Sequence, residues 1–338
     1  MKVMQIESEW GTANIKLANR PVPEPGPGEV VITIEAVSIN PRDRVMAEGG
    51  YGKRGGCLPL VPLCDGAGVV SAIGEGVTKL KVGEQVIPAY SRTWMTGTFQ
   101  ADSFAGAHGG PLDGMAQEKV LIPAAALVAA PKHLSAIEAA TLVCAGTTAW
   151  NALIVQGGLV AGQSVLLQGT GGVSLFALQI AKMIGARVLI ISSSDEKLER
   201  AKALGADHCI NYHTVPDWHS SARQILDGDG VDHIIDIGGT DTIAKSLRAI
   251  KPSGVISLVG VLGGATPEIE LARVVTRNVR LQGVTVGSRE VLENLAQAYE
   301  LSGLRPVVEE NHFTFDKLGI ALDSLAAGRH FGKIVCKL

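Results

Sequence analysis

The segment from Ser164 to Ile190, SVLLQGTGGVSLFALQIAKMIGARVLI, constrains the fold more than any other part of the chain. It begins with a short apolar run, continues through a cluster of glycines, and then has apolar residues at helical spacing. A strand, a tight turn and a helix in this order are typical of the phosphate-binding turn of a dinucleotide site, whose pattern is G-x-G-x-x-G. The segment therefore predicts a nicotinamide cofactor site, with an ordinary turn after a strand as the alternative.

The glycine pattern is complete at the two positions that need glycine most. Gly169 and Gly171 stand where the chain bends tightly and where the backbone approaches a pyrophosphate, and Gly172 adds an open backbone N–H. After Val173, the third position holds Ser174, whose small side chain is compatible with a helix. We expect all five residues to contact the cofactor, and one hypothesis is that the Ser174 hydroxyl donates to a phosphate.

Two regions of the chain have different patterning. From about residue 145, apolar strands alternate with helical segments, which predicts an α/β fold with a doubly wound parallel sheet. Residues 22–124 instead contain short β-branched runs separated by proline and glycine, which predicts a mostly antiparallel β domain. Because a chain of 338 residues is too long to fold around one ordinary hydrophobic core, two domains are expected.

Composition excludes several classes of protein. A net charge of −3 and an aromatic content of 4% argue against nucleic acid as a partner. No stretch reaches the roughly 18 apolar residues of a membrane span, and the first residues do not resemble a signal peptide. The five cysteines form no CxxC pair, which favours a reducing compartment. These features predict a cytoplasmic protein that acts on a small molecule.

The end of the second strand bears on the choice of cofactor. Ser192, Ser193 and, one turn into the next helix, Lys197 offer donors and a positive charge for a 2′-phosphate, which favours NADPH over NADH. Asp195 opposes this choice mildly. The alternative is that Ser193 and Glu196 form a capping box and that Lys197 is only solvated.

Several motifs together carry a resemblance that runs along nearly the whole chain. They include NPRD, PLCDGAGVVSAIGEGVTKLKVGEQVIP, AATLVCAGTTAWNAL, AKALGADHCINY and HFGKIV. In combination they resemble the medium-chain dehydrogenase/reductase superfamily, within it the quinone oxidoreductase and zinc-free alcohol dehydrogenase-like branches. The resemblance implies a chaperonin-10-like (GroES-like) catalytic β-barrel over residues 1–127 and 288–338, a Rossmann domain over 128–287, an active site in the cleft, and a homodimer joined through the last Rossmann strand.

The resemblance also bears on metal. The three catalytic zinc ligands of the zinc enzymes fall on Asn40, Cys64 and Cys144, and an amide is a poor zinc ligand. The cysteine-rich lobe of those enzymes is missing, because residues 89–114 contain no cysteine. We therefore expect no metal. The alternative is a zinc-dependent alcohol dehydrogenase that uses Cys64, Cys144 and an oxygen of Asp65.

Without a metal, the plausible chemistry is hydride transfer to a quinone, an enone or a related carbonyl compound. Asn40 and Tyr51 are the candidate catalytic residues. The alternatives are that Asn40 only starts a helix and that Tyr51 is only an aromatic residue of a loop. A non-enzymatic, crystallin-like NADPH-binding role is a further alternative that the resemblance leaves open. The resemblance to the superfamily also implies cofactor contacts, at Asn40, Thr148, Tyr212, Gly260, Val261, Leu262, Val286, Gly287, Ser288, Phe331 and Lys333.

One long connection has no counterpart among these motifs. Residues 90–111, YSRTWMTGTFQADSFAGAHGGP, contain Trp94, Met95, Phe99 and Phe104 among small residues. A loop of this length is usually a lid or a binding loop. The sequence predicts either a cover for a lipophilic substrate or an oligomer contact.

Overall fold

A computed structural model describes the chain from residue 1 to residue 338. The strands, in chain order, are β1 (Lys2–Ile6), β2 (Ile15–Asn19), β3 (Glu29–Ser38), β4 (Asp65–Ile73), β5 (Gln85–Pro88), β6 (Lys119–Pro123), β7 (Leu127–Ala129), β8 (Ser164–Gln168), β9 (Arg187–Ser192), β10 (His208–Asn211), β11 (Val231–Asp236), β12 (Ile250–Leu258), β13 (Arg280–Gly283), β14 (Phe313–Thr314) and β15 (Val335–Lys337). The α-helices are α1 (Pro41–Ala47), α2 (Ala136–Ala140), α3 (Thr147–Trp150), α4 (Gly172–Ile184), α5 (Asp195–Ala203), α6 (Trp218–Ile225), α7 (Ile243–Ala249), α8 (Leu271–Thr276), α9 (Arg289–Ser302) and α10 (Leu318–Ala326).

The fold divides into two compact units. The first unit comprises Met1–Thr147 and Val286–Leu338, and the second unit comprises Thr148–Thr285. The domain boundaries expected from the sequence, at 127/128 and 287/288, differ from the boundaries of these compact units. They remain predictions. Helix α2 follows the earlier of these boundaries and packs on β3 and β4 of the first unit.

The first unit is built around the long strand β3. This strand pairs antiparallel with β4, β6 and β15, so the C-terminal tail of the chain completes a sheet begun near the N-terminus. The order of the sheet is β14-β15-β3-β4-β5-β7, with β6 on β3. Gly68 is required where β4 crosses β3, because a Cβ there would lie 1.9 Å from the carbonyl oxygen of Thr33. The inward faces of these strands form one apolar core.

The second unit is a parallel six-stranded sheet with the order β10-β9-β8-β11-β12-β13. All five strand pairs are parallel. The central strands are almost continuously buried, as expected when helices cover both faces of a sheet. The order reverses between β8 and β11, and sheets of this type bind ligands at that switch point.

The predicted fold class is confirmed by this architecture. The parallel sheet and the antiparallel first unit arise where the two kinds of patterning predict them. The last strand of the parallel sheet, β13, ends at Gly283. Among the helices of the structure, none combines the length and the apolar character that crossing a membrane requires.

Candidate functional site

The glycine turn joins the end of β8 to the start of α4 in the second unit. Gly169 has a φ of +71°, in the left-handed region that glycine adopts without a steric penalty. Gly171 precedes the helix, and Gly172 is its first residue. The first-turn N–H groups at Gly172, Val173 and Ser174 have no partner within the helix, so the turn presents the backbone donors that a phosphate needs.

Ser174 occupies the third-glycine position with its hydroxyl turned inward. Its Oγ donates to the carbonyl oxygen of Gln168 at 2.6 Å, and the residue is 1% exposed. The hydroxyl proton is therefore not available to a phosphate, contrary to the hypothesis from the sequence. The bond instead ties α4 to the end of β8, where the third glycine of the usual pattern allows close packing.

A buried carboxylate lies beside the turn, at the end of β11. Asp236 Oδ2 accepts hydrogen bonds from Gln168 Nε2 at 3.0 Å and from Ser246 Oγ at 2.6 Å. Its Oδ1 accepts from Thr242 Oγ1 at 2.6 Å and from the backbone N–H of Gly239 at 3.1 Å. Because Gln168 is the last residue before the glycine turn, this network fixes the strand ends at the switch point.

The groups predicted to select NADPH lie at the ends of β9 and β10. The N–H of Tyr212 donates to the carbonyl oxygen of Ser192 at 3.0 Å, because the two strands pair in parallel. Ser193 and Tyr212 are exposed, and Lys197 lies in the first turn of α5. The structure therefore brings these predicted residues to one end of the sheet.

The cap of α5 differs from the alternative considered for it. Ser194, rather than Ser193, is the N-cap, and its Oγ accepts a hydrogen bond from the N–H of Lys197 at 3.3 Å. A capping box of Ser193 with Glu196 is therefore wrong, and the Ser193 hydroxyl is not used to cap the helix. Asp195 is held by a hydrogen bond from Asn211 Nδ2 to its Oδ1 at 2.7 Å.

The remaining predicted contacts of the second unit lie at a strand end and in a helix. Gly260, Val261 and Leu262 follow β12, and the side chains of Val261 and Leu262 are well exposed. Thr148 is buried in α3. A cofactor contact at each of these positions stays a prediction.

A second buried carboxylate, at the first residue of β4, organises the first unit. Asn40 Nδ2 donates to Asp65 Oδ2 at 2.8 Å, and Lys333 Nζ lies 3.4 Å from the same oxygen. Lys333 also donates to Asn40 Oδ1 at 2.5 Å and to the carbonyl oxygen of Ile39 at 2.7 Å. Burial raises the pKa of Asp65, and the charge of Lys333 opposes this rise. The result is a buried ion pair bridged by an amide.

Two buried cysteines adjoin this ion pair. The ligand atoms of Cys64, Asp65 and Cys144 all lie within 4.8 Å of one another. Cys64 Sγ lies 3.2 Å from Asp65 Oδ1, at hydrogen-bond distance for a thiol donor. Burial, together with a hydrogen bond involving Cys144, raises the pKa of the Cys64 thiol well above its usual range. Cys64 is therefore a neutral thiol near pH 7.

The comparisons with known proteins agree with this architecture. Residues 26–132 match the alcohol dehydrogenase GroES-like domain, and residues 172–300 match the zinc-binding dehydrogenase family. A zinc-type alcohol dehydrogenase-like protein of Schizosaccharomyces pombe is 40% identical over 92% of this chain and 91% of its own length. The chain is a medium-chain dehydrogenase/reductase. It is an oxidoreductase of a superfamily that binds a nicotinamide cofactor.

Two further comparisons extend this likeness over the whole chain. A crystal structure from Sinorhizobium meliloti 1021, of a protein with a provisional alcohol dehydrogenase name, has a TM-score of 0.92 and 42% identity, and the match covers 100% of this chain and 99% of that one. The 2-methylene-furan-3-one reductase of Solanum lycopersicum is 32% identical over 97% of this chain and 77% of its own length.

Because one matching family is described as zinc-binding, the cysteine cluster of this dehydrogenase/reductase must be tested as a zinc site. A catalytic zinc takes three protein ligands. Cys64 and Cys144 offer sulfur, and Asp65 Oδ1 lies 3.2 Å from Cys64 Sγ. The other oxygen, Asp65 Oδ2, accepts from Asn40 and lies 3.4 Å from the ammonium of Lys333, so a positive charge already balances this carboxylate. Asn40 also directs the N–H group of its amide, a donor, toward Cys64 Sγ at 3.7 Å. The positive charge of Lys333 and the N–H group of Asn40 therefore disfavour a zinc ion at this cluster.

The two predicted catalytic residues of the dehydrogenase/reductase have different environments. Asn40 is 4% exposed and begins α1, with its backbone N–H donating to Asp43 Oδ2 at 2.8 Å. Tyr51 is only partly buried, and its ring lies 5.6 Å from that of Phe104. Burial raises the pKa of Tyr51, and the nearby charge of Arg42 opposes the rise. Tyr51 can meet a ligand directly, whereas Asn40 is engaged inside the unit.

The predicted cofactor contacts near the C-terminus are buried. Val286 has a φ of +33°, Gly287 packs against Thr147, and Ser288 caps α9 by accepting from the N–H of Val291 at 3.3 Å. A cofactor contact at these positions stays a prediction. The same holds for Phe331 and Lys333, which are 2% and 3% exposed, and the ammonium of Lys333 donates to groups within the first unit.

The long connection of residues 90–111 is anchored within the first unit. Backbone N–H groups of Arg289 and Glu290 donate to the carbonyl oxygens of Trp94 and Met95 at 2.9 and 3.0 Å. The Trp94 ring is buried and packs edge-on against Phe99. These contacts fix the first half of the loop, while Phe99 remains 46% exposed.

The motifs of the sequence do not point to Asp236, Gln168 or Arg42 as functional residues. A signal for the first two was present, because the buried runs SVLLQ and VDHIID each end in a polar residue. Apolar strands of a parallel sheet that finish on polar residues point to a polar cluster at that edge. Arg42 lies inside the NPRD motif, but its burial depends on the fold around it.

Proposed function

We propose that the protein is an NADPH-dependent, zinc-free reductase that acts on quinones, enones or related carbonyl compounds. The single observation that carries this proposal is the network of Asn40, Asp65 and Lys333, in which the ammonium of Lys333 already balances the carboxylate that would have to be the third zinc ligand. Without a Lewis acid, the hydride acceptor must already be polarised, as in an enone or a quinone. The name of the tomato relative, which describes reduction of a methylene-furanone, supports this class.

The choice of NADPH rests on the groups at the ends of β9 and β10. Ser193 and Tyr212 expose hydroxyl groups, and Lys197 adds a positive charge in the adjacent helix turn. When bound, NADPH supplies the hydride. The backbone of the glycine turn would hold its pyrophosphate at the start of α4, and the three named side chains would hold its 2′-phosphate.

The side chains of the first unit divide into two roles. Tyr51 is partly exposed, so we assign its hydroxyl as the proton donor to the reduced substrate. Asn40 is buried with both ends of its amide engaged, so it orients Asp65 and Lys333. In this account Asn40 is a positioning residue.

Protein purified without added zinc tests this proposal. NADPH oxidation is measured against a panel of enones, quinones and aldehydes, each with and without a chelator. We expect turnover of enones or quinones that the chelator leaves unchanged. Turnover restricted to aldehydes, and lost on chelation, would contradict the proposal.

A zinc-dependent alcohol dehydrogenase is the second candidate, because Cys64, Asp65 and Cys144 lie within 4.8 Å of one another. It predicts that Cys64→Ala abolishes zinc binding and aldehyde turnover together. Cys57→Ala is the matched control, because that cysteine is exposed and outside the cluster. Aldehyde turnover that survives Cys64→Ala eliminates this candidate. Binding of NADPH with no turnover on any substrate would instead favour the crystallin-like role.

We also propose that the protein is a homodimer. β13 is an edge strand of the second unit, so one side of it is open for pairing. Nearby apolar side chains are more than half exposed, namely Val261, Leu262, Leu271 and Val275. Light scattering of Val275→Asp against the unaltered protein tests this: a monomeric variant supports the dimer through this face, and an unchanged dimer contradicts it.

A further inference from the structure

Arg42 is a nearly buried cation with no role so far in the proposed reaction. It follows Pro41 in α1, and its side chain is 10% exposed. Its guanidinium donates to the carbonyl oxygens of His108 at 3.2 Å and Gly110 at 3.3 Å, and its carbon lies 5.0 Å from the ring centroid of Tyr90. A charged group held mainly by neutral carbonyls and an aromatic ring keeps much of its positive field.

The carboxylate next to Arg42 neutralises it only loosely. The guanidinium lies 3.3 Å from Asp43 Oδ1, longer than the about 2.7–2.9 Å of a strong charge-assisted bond. Asp43 Oδ1 also accepts from the N–H of Cys64 at 3.3 Å, and its Oδ2 accepts from the N–H of Asn40 at 2.8 Å. The negative charge of Asp43 is therefore shared among several donors.

Apart from the Asp43 carboxylate, the groups around Arg42 are neutral and weakly acidic. The charge of Arg42 acts on Tyr51 and Tyr90, where it opposes the rise in pKa that burial causes. A cation held in place among such groups, near a phenol that is partly exposed, is the arrangement that stabilises an oxyanion.

We propose that Arg42 stabilises the negative charge that develops on the substrate oxygen during reduction, and that Tyr51 then supplies the proton. This inference rests on the proposed function and names its electrophile. Transfer of the hydride that NADPH would supply breaks a C–H bond of the cofactor, which is oxidised to NADP⁺, and forms a C–H bond at the β-carbon of an enone. The π electrons of the enone move onto the carbonyl oxygen. The enolate takes the Tyr51 proton, and water reprotonates the phenolate. The preferred substrates are then those that pass through an enolate or a hydroquinone anion.

A purely structural role is the competing explanation, because Arg42 also tethers the segment that contains His108 and Gly110. The two roles separate in kinetics. Loss of a tether lowers the melting temperature or raises the KM, whereas loss of an oxyanion contact lowers kcat at saturating substrate.

The test compares Arg42→Gln, Arg42→Lys and Tyr51→Phe with the unaltered protein, using 2-cyclohexenone and NADPH. Arg44→Gln is the matched control, because Arg44 lies in the same helix, is exposed and pairs with Glu48. For Arg42→Gln we expect kcat to fall about 100-fold, with the NADPH dissociation constant unchanged. Arg42→Lys should recover about tenfold of this loss because it keeps the charge. Arg44→Gln should leave kcat unchanged.

Different results overturn different claims. Full kcat in a folded Arg42→Gln protein overturns the role of Arg42 and leaves the proposed function standing. If Arg42→Gln does not fold, Arg42→Lys decides: a kcat about tenfold below that of the unaltered protein supports the role of the guanidinium. An unchanged kcat with a lower melting temperature, or a 100-fold loss in a folded Arg42→Lys, overturns it. Absence of any enone or quinone reduction by the unaltered protein overturns the proposed function and this inference together.

Discussion

Asp65 and Asp236 are both fully buried carboxylates at strand ends, one in each unit, yet the chain stabilises them in different ways. Asp65 is paired with the ammonium of Lys333 and takes further hydrogen bonds from Asn40 and Cys64. Asp236 accepts its four hydrogen bonds from an amide, two hydroxyls and a backbone N–H. One network is balanced by charge and the other by neutral dipoles.

This difference indicates what each unit is built to do. The network of neutral donors around Asp236 fixes the end of β8, and with it the turn that we propose binds the cofactor. The network of the first unit contains an ion pair, and the same unit holds Arg42, the cation that we propose stabilises a substrate oxygen that becomes negative. The ion pair also makes the first unit more sensitive to the loss of a single charged partner.

Removal of the lysine should have the largest effect on stability. Lys333→Met leaves Asp65 as an unpaired buried carboxylate, so we expect a loss of about 3–5 kcal/mol in the free energy of unfolding, measured by denaturant titration. The double variant Lys333→Met with Asp65→Asn should recover most of it. Lys317→Met is the control, because Lys317 is exposed. A loss below about 1 kcal/mol for Lys333→Met would mean that the pair does not balance the network.

Acid should weaken the first unit through His108. Nδ1 of this fully buried ring donates to the carbonyl oxygen of Asp113, and burial, with Arg92 and Arg42 nearby, lowers the pKa of His108 from its ordinary 6.5 to about 4. The unfolded chain binds the proton more readily, so the contribution is complete above pH 6.5 and is lost as the pH falls toward 4. We expect about 3 kcal/mol over this window.

Denaturant titrations of the unaltered protein and of His108→Gln, at a series of pH values, measure this contribution. The difference in stability between the two proteins should shrink as the pH falls from 6.5 to 4. A constant difference over that range would show that His108 does not titrate as its burial requires.

A substitution in the network of neutral donors around Asp236 should have a smaller effect on stability. Asp236→Asn places an N–H group where Gln168 and Ser246 already donate, so we expect a loss of about 2 kcal/mol. We also expect weaker binding of NADPH, measured by nicotinamide fluorescence, because the end of β8 carries the turn. Asp229→Asn is the control at an exposed position of the same unit. Unchanged NADPH affinity in a destabilised Asp236→Asn would restrict the network to a structural role.

The smallest effect is expected for a substitution in the second unit that alters the preference for NADPH over NADH. Lys197→Ala removes a charge beside the 2′-phosphate position, so we expect the Michaelis constant for NADPH to rise about tenfold. The constant for NADH should stay unchanged. Equal effects on both cofactors would remove Lys197 from 2′-phosphate recognition.

The second unit was largely predictable because its signals are local. Strand, turn and helix follow one another within residues 164–190, and the left-handed backbone of Gly169 favours glycine at that position. The errors there are small shifts with local causes. Ser194, and not its neighbour Ser193, caps α5. The Ser174 hydroxyl donates to a carbonyl oxygen at the end of β8 and not to a phosphate.

The first unit was less predictable because its key contacts join distant parts of the chain. Lys333 meets Asn40 and Asp65 only because β15 pairs antiparallel with β3, which places Val335 opposite Ser38. No local pattern encodes that register. The same reason hid Arg42, whose partners at His108 and Gly110 belong to a separate loop.

The central claim is that this dehydrogenase/reductase uses its own cations in place of a metal, and zinc content measured on active protein tests it most directly. Elemental mass spectrometry is applied to protein purified without added metal whose enone or quinone turnover has been measured in the same sample. The account predicts active protein with far less than one zinc per chain. One zinc per chain, lost together with activity in Cys64→Ala but kept in Cys57→Ala, would contradict it.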